Sequence, residues 1–167
     1  MSDLAHVGRW IWAGPAVFLM HDAEEILTVA PWLRDHRAEL PSVLRPFTGI
    51  TTAEFALAVL VLFLGFLAVA AHGARRARQG RTSIPFLLVA GTFVANGITH
   101  LGQAALLRGY TPGAVTALLL VLPYGVLLGE QLRRRGLVTR GTWVGVVAAG
   151  ALLQVPIVAL VLLAVRR

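Results

Sequence analysis

Hydrophobic residues dominate five long stretches of the chain, and short polar segments rich in Arg separate them. The stretches cover about residues 7–32, 50–74, 83–107, 111–132 and 141–165. A helix needs about 20 mostly apolar residues to cross the hydrocarbon core of a bilayer, and each stretch reaches that length. The pattern predicts an all-α fold: an integral membrane helical bundle of about five transmembrane helices, forming one membrane domain over residues 1–167.

The composition excludes several other classes of protein. Hydrophobic residues make up 57% of the 167 residues and charged residues only 14%, whereas an average soluble domain is about 45–50% apolar and about 25% charged. A chain of this length has too little interior to bury so much apolar surface. A soluble enzyme and a disordered segment are therefore poor interpretations.

The basic residues are all Arg, and they concentrate between the apolar stretches. A net charge of +7 would suit a nucleic-acid partner, but short Arg clusters beside apolar segments are typical of loops that contact lipid headgroups. If five helices alternate in direction, nine Arg lie on the face that includes the N-terminus and six on the other. We therefore expect a multi-pass protein of the cell membrane with its N-terminus in the cytoplasm, and no nucleic-acid partner.

Ionisable side chains interrupt this apolar pattern at a few positions. Carboxylates at bilayer depth are costly, and such positions are functional candidates by default. His21 lies three and four residues before Glu24 and Glu25, so all three share one helix face. Asn96 lies four residues before His100 on the third stretch, and Gln103 follows three residues later.

Depth places these groups near one membrane face. At 1.5 Å per residue, Glu24 and Glu25 lie roughly 11 Å below the face that contains the loop between the first two stretches. Glu54 lies roughly 6 Å below the same face, and His100 again roughly 11 Å. Three helices are therefore predicted to bring His and Glu side chains together.

Imidazole and carboxylate groups in this pattern are ligands for Zn, Fe or Mn, and the absence of Cys argues against copper or iron–sulfur chemistry. Helical bundles build such sites from inward-facing Glu and His side chains. The predicted metal ligands are His21, Glu25, Glu54 and His100. Asn96 and Gln103 are expected to support the ligands, and Glu24 to act as the catalytic acid or base. A one-metal site without Glu54 remains open, as does a purely structural polar network.

A sharp turn is predicted where the fourth stretch begins. Pro112 and Gly113 follow Tyr110 directly, and Pro near a helix start beside Gly suits a tight re-entry. This turn lies on the same face as the His and Glu residues. Tyr110 is therefore a second catalytic candidate, as a proton or hydrogen-bond donor, although its position taken alone favours an aromatic anchor at the interface.

Together these motifs resemble a known family. The segments His21-Asp22-Ala23-Glu24-Glu25, Asn96-Gly97-Ile98-Thr99-His100 and Tyr110-Thr111-Pro112-Gly113, in this order, are similar to the HXXEE family of small bacterial multi-pass membrane proteins. The resemblance covers about residues 20–125 and leaves out the fifth stretch. It implies a multi-pass fold with these His, Glu and Asn residues as signature positions, and it implies no particular activity.

The function that these observations favour is a membrane-embedded, metal-dependent enzyme. Its substrate would be a lipid-like or isoprenoid-like molecule that enters from the bilayer, and the ligands suit either hydrolysis or oxidation. A proton-coupled or ion transporter would use the same carboxylates along a polar path to both faces. A non-catalytic accessory subunit would use them only for assembly.

Overall fold

The computed structural model describes residues 2–38, 40, 42 and 48–165 of the chain. Within these ranges the structure is helical and contains no strand. The five long helices are α1 (Ser2–Asp35), α2 (Thr52–Arg78), α3 (Ile84–Leu107), α4 (Ala114–Arg134) and α5 (Arg140–Val165). The predicted all-helical fold is confirmed, and α2 to α5 are long and apolar enough to cross a membrane.

Helix α1 is longer than the apolar stretch that predicted it. It has 34 residues and continues through Pro15 and Pro31. Hydropathy marks only the part of a helix that is apolar, whereas backbone hydrogen bonding also continues through polar residues. The carboxylates at 22, 24 and 25 give α1 a less apolar middle than the other four helices have.

A capping box begins α2. The Glu54 carboxylate accepts hydrogen bonds from the backbone N–H of Thr51 at 2.7 Å and from its hydroxyl at 2.8 Å, while the Thr51 hydroxyl accepts one from the N–H of Glu54 at 3.2 Å. This reciprocal arrangement satisfies backbone donors that have no partner inside the helix. Glu54 therefore has a local structural task at the end of α2.

The turn from α3 to α4 requires two residues in the left-handed region. Arg108 ends α3 with φ 51°, and Gly113 precedes α4 with φ 80°. Soon after its start, α4 widens into a π-helical segment over Ala117–Val121. Pro123 has no N–H to donate to the carbonyl of Leu119 four residues earlier, and the π segment lies where this bond is missing.

Two helix pairs form most of the bundle, α1 with α2 and α3 with α5. Small residues allow α3 and α5 to approach closely: a Cβ added to Gly150 would lie 2.5 Å from the Cα of Thr92. Close approach through small residues is a common way to associate helices in membranes. The loop between α2 and α3 contacts the loop between α4 and α5. The Thr82 hydroxyl of the first donates to the carbonyl of Leu137 in the second at 2.5 Å, so these two Arg-rich loops are neighbours.

Candidate functional site

Two histidines and one glutamate from α1 and α3 converge inside the bundle. His21 and His100 are buried, their ring centres lie 5.0 Å apart, and Nε2 of His100 is 2.9 Å from Oε1 of Glu25. One ligand atom from each residue lies within 4.8 Å of the other two. Glu25 follows His21 by four residues, so helix periodicity alone places them on one face.

Asn96 connects the two imidazoles. Its amide nitrogen lies 3.3 Å from Nε2 of His21 and 3.0 Å from Nε2 of His100. Asn96 is one helical turn before His100, so α3 contributes both groups on one face. Asn96 thus lies within hydrogen-bonding distance of both histidines, and its supporting role stays a prediction.

Thr116 of α4 determines which nitrogen of His21 has the lone pair. The Thr116 hydroxyl lies 2.5 Å from Oε2 of Glu24, and because a carboxylate only accepts, the hydroxyl donates there. Its oxygen then accepts from Nδ1–H of His21 at 2.8 Å. Nε2 of His21 is left with a lone pair directed toward Asn96 and His100, as a metal ligand requires.

Glu24 anchors the start of α4. Its carboxylate accepts hydrogen bonds from Thr116 N–H at 2.8 Å, from Val115 N–H at 3.4 Å and from the Tyr110 hydroxyl at 2.8 Å, besides the Thr116 hydroxyl. The first N–H groups of a helix have no partner within it, and the helix dipole favours an anion at this end. Its surroundings thus favour a positioning role for Glu24, and the acid–base role stays a prediction.

Tyr110 lies outside the predicted membrane spans, in the turn before α4. Partial burial raises the pKa of its phenol, and the adjacent Glu24 carboxylate adds to the rise. The phenol is therefore protonated near neutral pH and acts as a donor to Glu24. Tyr110 contacts the carboxylate that positions α4, and the backbone carbonyl of Tyr110 accepts from the Trp32 indole at 3.1 Å.

Gly113 closes the site from the α4 side. A Cβ added there would lie 2.9 Å from Cε1 of His21, 2.9 Å from Cε1 of His100 and 3.0 Å from Oε1 of Glu25. Its positive φ also disfavours other residues. Gly113 thus lets the backbone of the turn lie directly against all three converging residues.

A cavity of about 480 Å³ adjoins this group, within the range of about 300–1,000 Å³ usual for small-molecule pockets. Most of its wall is apolar and comes from α2, α3 and α5. Val61 of α2 and Val158 of α5 line it and are also 48% and 39% exposed. The cavity therefore opens between α2 and α5 on the apolar outer surface of the bundle.

Two predicted site residues lie elsewhere. Glu54 is engaged in the capping box of α2 and is not one of the three converging residues, and Gln103 is exposed on α3. Depth arguments place Glu54 at the right end of α2 but do not specify the direction in which its side chain points. The hydroxyl of Tyr124, further along α4, donates to the carbonyl of Trp10 at 3.2 Å.

Sequence reasoning missed two contributors. Thr116 is not among the predicted site residues, and Gly113 is predicted only as a turn residue. The available signal was their position at the start of α4, directly after the Tyr110 turn on the face of the His and Glu residues.

Three ligands of two His and one carboxylate are the set found in catalytic zinc sites and in non-haem iron sites, both of which keep a position open for water or substrate.

The comparisons with known proteins agree with the motifs. No curated protein and no solved structure matches this chain significantly. A family described as "Protein of unknown function with HXXEE motif" matches residues 12–128, which include most of α1, all of α2 and α3 and most of α4 and leave out α5. Because the match covers more than half of the chain and includes every residue of the converging group, the chain belongs to the HXXEE family.

Proposed function

We propose that the protein binds one divalent metal ion through His21, Glu25 and His100 and is a membrane-embedded, metal-dependent enzyme. The observation that supports this most directly is the convergence of these three side chains, with the His21 tautomer set by Thr116. Zn, Fe and Mn all accept imidazole and carboxylate ligands. Glu24 and Thr116 would orient His21 as outer groups do in metal sites.

The hydrogen-bond arrangement around His100 also supports a cation. The Nε2 atom of His100 lies close to two groups with opposite hydrogen-bonding roles. The Asn96 amide nitrogen is a donor, and the Glu25 carboxylate is an acceptor. One ring nitrogen cannot accept from the first and donate to the second at the same time. A cation between Glu25 and the two imidazoles would take both Nε2 lone pairs in place of the Asn96 N–H groups, and the carboxylate and both Nε2 atoms would then all act as electron-pair donors.

The cavity indicates the kind of substrate. It is mainly apolar, it opens on the outer surface between α2 and α5, and Glu25, Asn96 and His100 form part of its wall. A lipophilic molecule could therefore reach the metal site sideways from the bilayer. A metal ion with three protein ligands supplies either an activated water for hydrolysis or a coordination position for oxidation.

Elemental analysis of protein purified in mild detergent tests the metal. We expect about one Zn, Fe or Mn per chain in the wild type and none in the His21→Ala, His100→Ala double variant. His72→Ala is the matched control, since His72 is exposed on α2, and it should retain the metal. Glu54→Gln should retain it too. Equal metal in the double variant, or none in the wild type after supplementation, would refute the metal site.

Activity is tested separately on the metal-loaded protein. Incubation with a bacterial lipid extract, in air and under nitrogen, followed by mass spectrometry should show conversion of at least one lipid. The double variant should leave the extract unchanged. Conversion in air alone would indicate oxidation, and conversion in both atmospheres hydrolysis. No conversion by a metal-replete wild type would contradict the enzymatic role.

We also propose that the Arg-rich loops face the cytoplasm together with the N-terminus, which puts the site near the opposite face. The contact between Thr82 and Leu137 supports this because it puts both loops at one end. The chain has no Cys, so single Cys residues can be introduced directly. A Cys at Gly136 should resist an impermeant maleimide in intact cells, and a Cys at Gly109 should react. The reverse pattern would overturn the orientation.

A further inference from the structure

Two residues in the wall of the same cavity each have an unpaired oxygen. Apart from the metal-site residues, the polar side chains in the cavity wall include Asp22 of α1 and Gln154 of α5. Each has a buried oxygen with no hydrogen-bond partner among the described residues: Oδ2 of Asp22 and Oε1 of Gln154. Unpaired polar atoms inside a protein are costly, and they call for an explanation.

Asp22 is the more costly of the two. It is only 6% exposed, and an ionised carboxylate in an apolar environment is among the most expensive groups to bury. It lies about 100° around α1 from His21, so it does not belong to the three converging residues. Asp22 is part of the cavity wall, so a molecule bound in the cavity lies beside it.

The hydrogen bonds of Gln154 establish that its free atom is an acceptor. The Thr99 hydroxyl donates to the carbonyl of Ala95 at 3.0 Å, so its oxygen can only accept from Gln154. The amide nitrogen of Gln154 makes that bond at 2.8 Å. The oxygen of the amide is therefore the atom that remains unpaired beside the cavity.

We infer that the cavity binds an amphiphile with an apolar chain and a hydrogen-bond-donating head, either an ammonium or a hydroxyl. The head would donate to Asp22 and Gln154, and the chain would lie among the apolar residues toward the opening at Val61 and Val158. A deprotonated carboxylate or phosphate head is disfavoured because it has no hydrogen to donate to these two oxygens. As a statement about the substrate this rests on the proposed function, whereas binding itself requires only the cavity.

The test uses the full chain in nanodiscs of zwitterionic lipid and three radiolabelled probes of equal chain length: dodecylamine, dodecanol and lauric acid. Binding is measured after subtraction of uptake by empty discs. The wild type should bind the amine, the alcohol or both at least tenfold more tightly than laurate. Tight binding of the amine alone identifies an ammonium head, and tight binding of the alcohol identifies a hydroxyl head.

Asp22→Asn should lower the affinity ratio between the preferred probe and laurate at least tenfold. Part of this change should come from tighter binding of laurate. Asp35→Asn is the matched control, because Asp35 is exposed at the end of the same helix, and it should behave as the wild type. If Asp22→Asn does not fold, Gln154→Leu provides a second test. It removes only the Gln154 acceptor and should by itself weaken the preference for the amine or alcohol over laurate. Equal binding of the three probes by the wild type, or an unchanged preference in the folded variants, would overturn the inference.

Metal content measured in the same samples separates this inference from the proposed function. A head-group preference without bound metal would sustain the inference and refute the metal-dependent enzyme. Bound metal without a head-group preference would refute the inference and leave the proposed metal site standing. Val158→Trp should block the cavity at its opening and abolish saturable binding of all three probes, while leaving the metal in place.

Discussion

Gly113→Ala tests the close packing at the site. The added Cβ would lie 2.9 Å from a carbon of each imidazole and 3.0 Å from the Glu25 carboxylate. These contacts are shorter than real side chains tolerate, so the imidazoles or the turn must move. The substitution also places a Cβ at φ 80°, which costs about 1–2 kcal/mol. Forced contacts in a packed interior cost about 1–3 kcal/mol more.

Gly136→Ala separates these two costs. Gly136 also has a positive φ, 64°, but a Cβ added there meets no atom within 4 Å. It should lose only the backbone contribution, about 1–2 kcal/mol of unfolding free energy. Gly113→Ala should lose more, about 2–5 kcal/mol in total, and displacement of both imidazoles should lower metal affinity at least tenfold.

The assay is metal titration by competition with a chromophoric chelator, combined with thermal unfolding of the same detergent-solubilised samples. Both variants should unfold at lower temperature than the wild type, and only Gly113→Ala should lose metal affinity. If Gly113→Ala binds metal as tightly as Gly136→Ala does, the turn does not press on the ligands and our account of the site is incorrect.

Three further predictions follow from the contacts. Thr116→Val removes the hydroxyl that orients His21 and should lower metal affinity about 10–100-fold, whereas Thr116→Ser should restore it; equal affinity of both variants in the chelator assay would contradict the tautomer argument. Tyr110→Phe removes one donor to Glu24 and should cost about 1 kcal/mol of stability. Because the pKa of Tyr110 is raised, the stabilisation should be complete below the ordinary value of about 10 and decline as pH rises through the higher folded value; unfolding curves in which wild type and variant differ equally at pH 8 and pH 11 would argue against it. Gly150→Leu inserts a side chain against Thr92 and should separate α5 from α3, seen as lost cross-linking between cysteines introduced on the two helices; unchanged cross-linking would show that the helices do not pack closely there.

Local geometry explains which parts of the site were predictable. Residues four apart on a helix share a face in any fold, so the pairs His21 with Glu25 and Asn96 with His100 could be predicted without tertiary information. The depth of each group followed from the helical rise. Glu54 shows the limit of that reasoning, because depth does not specify how α2 is rotated about its own axis. In the structure its carboxylate bonds to Thr51 at the helix end.

The sequence by itself determined the number and approximate position of the helices, and it placed His, Glu and Asn on common faces near one end of the bundle. The reason is that hydropathy and helical periodicity are properties of each segment alone. Only the tertiary structure decided that Glu25 faces His100 while Glu24 anchors α4, and that Thr116 and Gly113 reach His21. Those choices depend on the rotation and close packing of several helices at once, and no single segment encodes them.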